Sequence, residues 1–312
     1  MPRIATISPV WGCSVADLRA LAQEAEAGGF EAIFSPEVPP YNGLSNAQVF
    51  AEATKKIKVG TWITNVYMRE AMITAATAMT IQELSGGRMV LGLGVSHKPV
   101  NDRYGIEMGD PVQKMRGYVK AVRSFIDGTA PALTLKREVP RIPVYIAGLT
   151  KGAARLAGEA ADGIMPYLST PEYIKTLAGF VAEGAKAAGR DPSEIDITLG
   201  IPSVVSDDLD LARKSAKRGL SGYLRFPFYQ RLMKNNGYGE AIDKIKSGAD
   251  PVEVFTDEML DSVALVGPAD RCRARLEEYR KAGVALPIIV PSPAGKQSNV
   301  EVMKITVATY GG

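Results

Sequence analysis

Leu84-Ser85-Gly86-Gly87-Arg88-Met89-Val90-Leu91-Gly92-Leu93-Gly94 is the stretch whose reading decides the fold. A helix-compatible run over 71–84 stops at Gly86-Gly87, and an apolar run of strand length, 89–94, follows at once. That strand is apolar at consecutive positions instead of alternating with polar ones. Both of its faces must therefore be covered, as in a parallel sheet flanked by helices. Working outward, further strand-like runs lie at 4–9, 30–35, 57–65, 144–147, 163–167, 195–205 and 285–290, which makes eight. Amphipathic stretches separate them. The first begins at a capping box, Ser14-Val15-Ala16-Asp17, and a later one at Thr170-Pro171-Glu172. Eight strand-then-helix units predict an α/β fold, the closed (β/α)8 TIM barrel. The segment 206–267 is longer than one crossover helix needs, so an insertion is expected between strand 7 and helix 8, the helix starting at Gly267-Pro268. No repeat or linker divides the chain, and 1–312 reads as one domain.

Composition narrows the partners. The 312 residues are 46% apolar and 23% charged, with a formal net charge of +3, which suits an ordinary globular chain and not a general nucleic-acid binder. Cys13 and Cys272 lack metal-site spacing, and His97 is the only histidine, so no metal centre is expected. Without a secretory or membrane-spanning pattern the reading is cytoplasmic, with a small-molecule substrate and no membrane partner.

In such a barrel the chemistry belongs at the C-terminal ends of the strands. There the sequence places Glu37 after strand two, Asn65, Val66, Tyr67 and Arg69 after strand three, Val95 and His97 after strand four, and Gly148-Leu149-Thr150-Lys151-Gly152 after strand five. The last run reads as an anion cradle: small residues let amide groups at a helix N-terminus approach a phosphate, and Lys151 adds charge. An ordinary tight turn is the plainer reading of the same glycines. His97 is the one imidazole for acid–base work, or it packs beneath a cofactor. Glu37 is a cofactor-ring group or a loop cap, and Arg69 an anion contact or a surface ion pair. Tyr67 and Tyr167 could line a substrate pocket, and so could the run Arg225-Phe226-Pro227-Phe228-Tyr229, for which an apolar lid packed on the barrel is the plainer reading.

Several motifs in order give this chain a family resemblance. The stretch 84–94, Ile57-Lys58-Val59-Gly60-Thr61, Pro143-Val144-Tyr145-Ile146-Ala147-Gly148, the run 155–163 beginning Arg155-Leu156-Ala157-Gly158, and Val266-Gly267-Pro268 together resemble the luciferase-like monooxygenase superfamily of flavin- and deazaflavin-dependent barrels. Gly94-Val95-Ser96-His97-Lys98-Pro99-Val100 and Thr64-Asn65-Val66-Tyr67 look most like its coenzyme F420-dependent branch. The resemblance implies hydride exchange between the deazaflavin C5 and a small organic substrate. It also implies a cofactor ring held against Asn65-Val66 through a cis non-proline peptide or a bulge, phosphate contacts at Leu149, Thr150 and Gly152, and a homodimer. An FMN-dependent monooxygenase is the alternative, and a non-catalytic flavin-binding relative a second. Two departures stand out. Many F420 enzymes carry a histidine after the acid that ends strand two, where this chain has Val38; and sugar-phosphate dehydrogenases of the family have a glutamate where this chain has His97.

Overall fold

The computed structural model describes residues 2–131 and 137–312. Its strands are β1 (Ala5–Ile7), β2 (Ala32–Ser35), β3 (Lys58–Thr61), β4 (Thr64–Asn65), β5 (Met89–Gly94), β6 (Val144–Ile146), β7 (Gly163–Ile164), β8 (Asp196–Val205), β9 (Leu265–Gly267) and β10 (Leu286–Pro291). All pair in parallel in the order β10-β1-β2-β3-β5-β6-β7-β8, and β10 pairs back onto β8, for example Ile288 beside Gly200, so that the barrel closes. β3 and β4 both pair with β5 and share one barrel position, which gives the eight expected strands. β9 is additional and pairs with the end of β8.

The apolar runs bury two separate surfaces. Ala5, Ile7, Phe34, Val90, Met165 and Ile288 fill the barrel interior. Their strand neighbours Ile33, Val59, Leu91, Val144 and Ile289 face the helical shell. The period-2 alternation of a strand thus serves two cores at once, which is why the sequence shows no polar face. Close packing demands glycine at particular points: a Cβ on Gly92 would lie 2.1 Å from the Thr61 carbonyl oxygen, and one on Gly60 2.1 Å from that of Val90.

Helices Ala71–Leu84 and Pro111–Ile126 have the bounds read from sequence, and Ser14 forms the expected capping box with Asp17. Between β8 and β9 the chain makes an excursion of five α-helices, with a core of its own that includes Leu220, Tyr229, Met233, Phe255 and Leu260. Helix Ala269–Lys281 precedes β10 and is the seventh of the barrel; the eighth is Asn299–Tyr310, for which the sequence reading had no place. Its β-branched residues Val300, Val302, Ile305, Thr306 and Val307 read weakly as helix, yet its capping box, Ser298 with Glu301, is complete. No helix among the described residues is long and apolar enough to cross a membrane.

The third strand is not the continuous 57–65 run expected. It breaks at Trp62-Ile63, and the cis non-proline peptide lies there, not at Asn65-Val66. The reason is visible in the packing: Trp62 and Ile63, adjacent in sequence, both pack against the interior cluster, which regular alternation forbids. Facing glycines leave the room, since a Cβ on Gly200 would lie 2.2 Å from the Trp62 ring and one on Gly94 2.3 Å from Ile63.

Candidate active site

Glu37 and Arg69, contributed by the ends of the second and third barrel strands, meet at 3.3 Å between Oε1 and Nε. Their side chains are 7% and 20% exposed, so this is a largely buried pair and not the surface ion pair the sequence also allows. Burial pushes the Glu37 carboxyl above its ordinary range, and Arg69 beside it, with the nearby Gly43 backbone N–H, offsets this only in part. Glu37 Oε2 is buried without a hydrogen-bond partner, as are Trp62 Nε1 and Thr64 Oγ1 on the adjoining strand end.

Asn65 is buried but does not present a free amide. Its Nδ2 donates to Asn101 Oδ1 at 3.0 Å, and its Oδ1 accepts the Tyr67 backbone N–H at 3.0 Å. Asn101, wholly buried, donates in turn to the Val95 carbonyl at 2.8 Å. Val66 is fully buried, and its amide donates to the Gly94 carbonyl at 2.9 Å. The ends of β4 and β5 are thereby fastened together, and the loop leading to His97 is anchored from below.

Ser96 takes a left-handed backbone conformation, φ 59°, immediately before His97. The His97 imidazole makes no hydrogen bond among the described residues. It is partly buried and stacks on Phe226 with centroids 4.5 Å apart and planes 11° apart. Burial lowers its proton affinity, so the neutral form persists below the ordinary histidine range. Tyr167 links this cluster to the barrel, packing edge-on against Trp62 at 5.1 Å and Tyr223 at 5.2 Å.

After β6, Thr150 caps helix Lys151–Ala160, its Oγ1 accepting the Ala153 amide at 3.3 Å. The Lys151 and Gly152 amides ahead of it make no backbone hydrogen bond, which leaves two donors at a helix N-terminus. Gly148 packs tightly, because a Cβ there would lie 2.4 Å from that of Ala153. The Leu149 carbonyl accepts the Tyr173 hydroxyl at 2.5 Å. Lys151 turns its ammonium over the Phe180 ring, 4.9 Å from the centroid, so the cradle rests on amides and not on that charge.

The other expected pocket residues are spread more widely. The Tyr67 hydroxyl donates to the Met108 carbonyl. That contact borders a cavity of about 660 Å³ lined by Lys98, Asp102, Ile106, Met108 and Pro111. Arg225 is exposed. Phe228 packs on Tyr173 and Tyr229, and it is Phe226, two residues earlier, that reaches His97. A cavity of about 350 Å³ beside Pro2, Ile4 and Tyr310 lies at the opposite end of the barrel, away from all these groups. The sequence does not single out Asn101 or Tyr223 as site residues; Trp62 reads there as a core aromatic and Phe226 only as part of the run 225–229. The aromatic spacing Tyr223-x-x-Phe226-x-x-Tyr229 is the available signal for Tyr223 and Phe226.

The luciferase-like monooxygenase family profile matches residues 5–286. A 5,10-methylenetetrahydromethanopterin reductase from Methanolobus tindarius is 31% identical over 296 residues, spanning 88% of this chain and 89% of that protein. Among solved structures, a coenzyme F420-dependent tetrahydromethanopterin reductase from Methanopyrus kandleri superposes with a TM-score of 0.83 at 22% identity, covering 98% of each chain. An F420-dependent secondary alcohol dehydrogenase in complex with an F420-acetone adduct superposes with a TM-score of 0.77 at 19% identity, covering 99% of this chain and 98% of that one.

Proposed function

Because the chain belongs to the luciferase-like monooxygenase family, we propose that its barrel mouth binds coenzyme F420 and exchanges hydride between the deazaflavin C5 and a small organic substrate. The coarse class, an oxidoreductase of that family, follows from membership. The choice of F420 over FMN is supported by the similar proteins whose names carry that coenzyme.

The observation that carries the reading is the group of buried polar atoms without partners, Glu37 Oε2, Trp62 Nε1 and Thr64 Oγ1, at the ends of neighbouring strands. Each such atom costs about 1–3 kcal/mol while unpaired, and a heteroaromatic ring edge bearing carbonyl and N–H groups would satisfy both donors and acceptors. The donor and acceptor types present are those such a ring edge would need. When bound, F420 would supply the two-electron hydride chemistry. The Lys151 and Gly152 amides would hold its phosphate, with Thr150 fixing the turn. The Glu37–Arg69 pair would lie at the ring edge. His97, with both ring nitrogens free of protein partners, would hold or release the proton that accompanies hydride transfer; Glu37 is the second group able to do so.

Two further proposals complete the reading. The 206–264 excursion is an insertion in the barrel repeat that walls the mouth. The protein is a homodimer, supported by helix Ala71–Leu84, which carries no charge before Glu83 and leaves Met72 and Ile73 about half exposed. Light scattering on the purified protein tests the dimer. The reaction is tested by following F420H2 oxidation at the deazaflavin absorbance with ketones, enones, imines and a methylene-tetrahydropterin. Turnover with any of these supports the assignment, and FMN-dependent oxygen uptake without it would favour the monooxygenase.

A further inference from the structure

The excursion between β8 and β9 reaches the candidate site through a set of rings. Phe226, between the short 3-10 turn Ser221–Arg225 and helix Pro227–Asn235, lies flat on the His97 imidazole. Tyr223 meets the same imidazole edge-on with centroids 6.3 Å apart, and Tyr229 lies tilted at 6.2 Å. Tyr223 packs on Tyr229 at 5.4 Å and on Tyr167 at 5.2 Å, and the Tyr229 hydroxyl donates to the Tyr167 carbonyl at 3.4 Å, so the stack is braced by the barrel wall. Neither ring nitrogen of His97 is bonded to a protein group among the described residues, and the residue caps helix Lys98–Asp102 through its backbone alone. No polar contact fixes its ring plane; the aromatic rings do.

We propose that Phe226 is a positioning residue: by stacking on His97 it holds the imidazole in one orientation at the end of β5, so that the excursion, and not the barrel, sets the geometry of the chain's one histidine. This inference rests on the reading of His97 as the proton-exchanging group. No charge opposes it. From the excursion, the phenols facing His97 are those of Tyr223 and Tyr229, both held neutral by burial. On its own element Lys98 and Asp102 satisfy each other at 2.8 Å. Burial among these rings lowers the proton affinity of His97, and opening the enclosure at Phe226 should raise it.

The single histidine makes the test direct. In untagged protein, the imidazole carbon-bound proton signals should be displaced by the Phe226 ring current and should titrate below the ordinary midpoint of ~6.5. In Phe226→Leu the displacement should vanish and the midpoint should rise, while Phe226→Tyr should restore both. The acid limb of the pH profile for F420H2 oxidation should move with the midpoint. Undisplaced imidazole signals in the wild-type protein, or an unchanged titration in folded Phe226→Leu, would overturn the proposal. If the imidazole responds as expected but the pH profile does not move, the clamp stands and the acid–base role of His97 falls. The wild-type spectrum alone decides the stacking should the leucine variant fail to fold.

Discussion

Asn65 and Asn101 join two strand ends: the Asn65 Nδ2 donates to the Asn101 Oδ1 at 3.0 Å, with both side chains buried. Because Asn101 also donates to the Val95 carbonyl at 2.8 Å, the third barrel strand is tied to the loop that presents His97. Replacing Asn101 with Ala leaves a buried donor on Asn65 and a carbonyl on Val95 unpaired. The expected loss of stability is about 1–3 kcal/mol, measured by urea unfolding. Turnover should fall together with it. A variant as stable as wild type would show that the bridge carries no weight.

Glu37 gives a pH dependence of known sign. Its folded-state proton affinity is raised by burial, so between the ordinary glutamate value and the raised one the folded protein holds a proton that the unfolded chain has released. Wild-type stability therefore falls as pH rises through that window, relative to a variant without the group. Measured by thermal melts, the stability of Glu37→Gln minus that of wild type should grow from about pH 4.3 upward and then level off. A difference that shrinks over the same range would mean that the Arg69 pairing outweighs burial.

At the cradle, a side chain on Gly152 would approach Val112 at 3.3 Å, a tight but adjustable contact, while covering the free amides. Gly152→Val should therefore fold and bind F420 at least ~10-fold more weakly, equivalent to roughly 1.4 kcal/mol. Equilibrium dialysis reads this directly, and unchanged affinity would place the phosphate elsewhere.

His97→Ala should lower turnover by ~10²-fold or more with a much smaller change in F420 affinity, the pattern of a group acting in the transition state. Stopped-flow comparison with Glu37→Gln separates the two candidates. Loss in the glutamine variant alone would move the proton role to Glu37, and near-normal rates in both would remove it from this site.

The barrel is legible because doubly buried strands leave uninterrupted apolar runs, and Gly86 and Gly87, at φ 64° and 93°, mark a turn whose left-handed geometry few other residues allow. What escaped the sequence depended on long-range packing. That Trp62 and Ile63 would share the interior follows from Gly94 and Gly200, ~30 and ~140 residues away, and no local pattern announces it. The final helix was missed because β-branched residues weaken its local signal. Asn101 looked like an unremarkable loop residue until its partners Asn65 and Val95 were brought beside it. Glu37 and Arg69 were both singled out from their positions at strand ends, but not as partners of each other, since 32 positions separate them.

The central claim concerns the cofactor, and its most direct test is a pair of titrations of the purified protein, one with F420 and one with FMN, each read by cofactor absorbance and bound fraction. Saturable F420 binding that is weakened by Gly152→Val, with FMN bound far less well, is the predicted result. Tight FMN binding with no uptake of F420 would contradict the account and assign the mouth to a flavin.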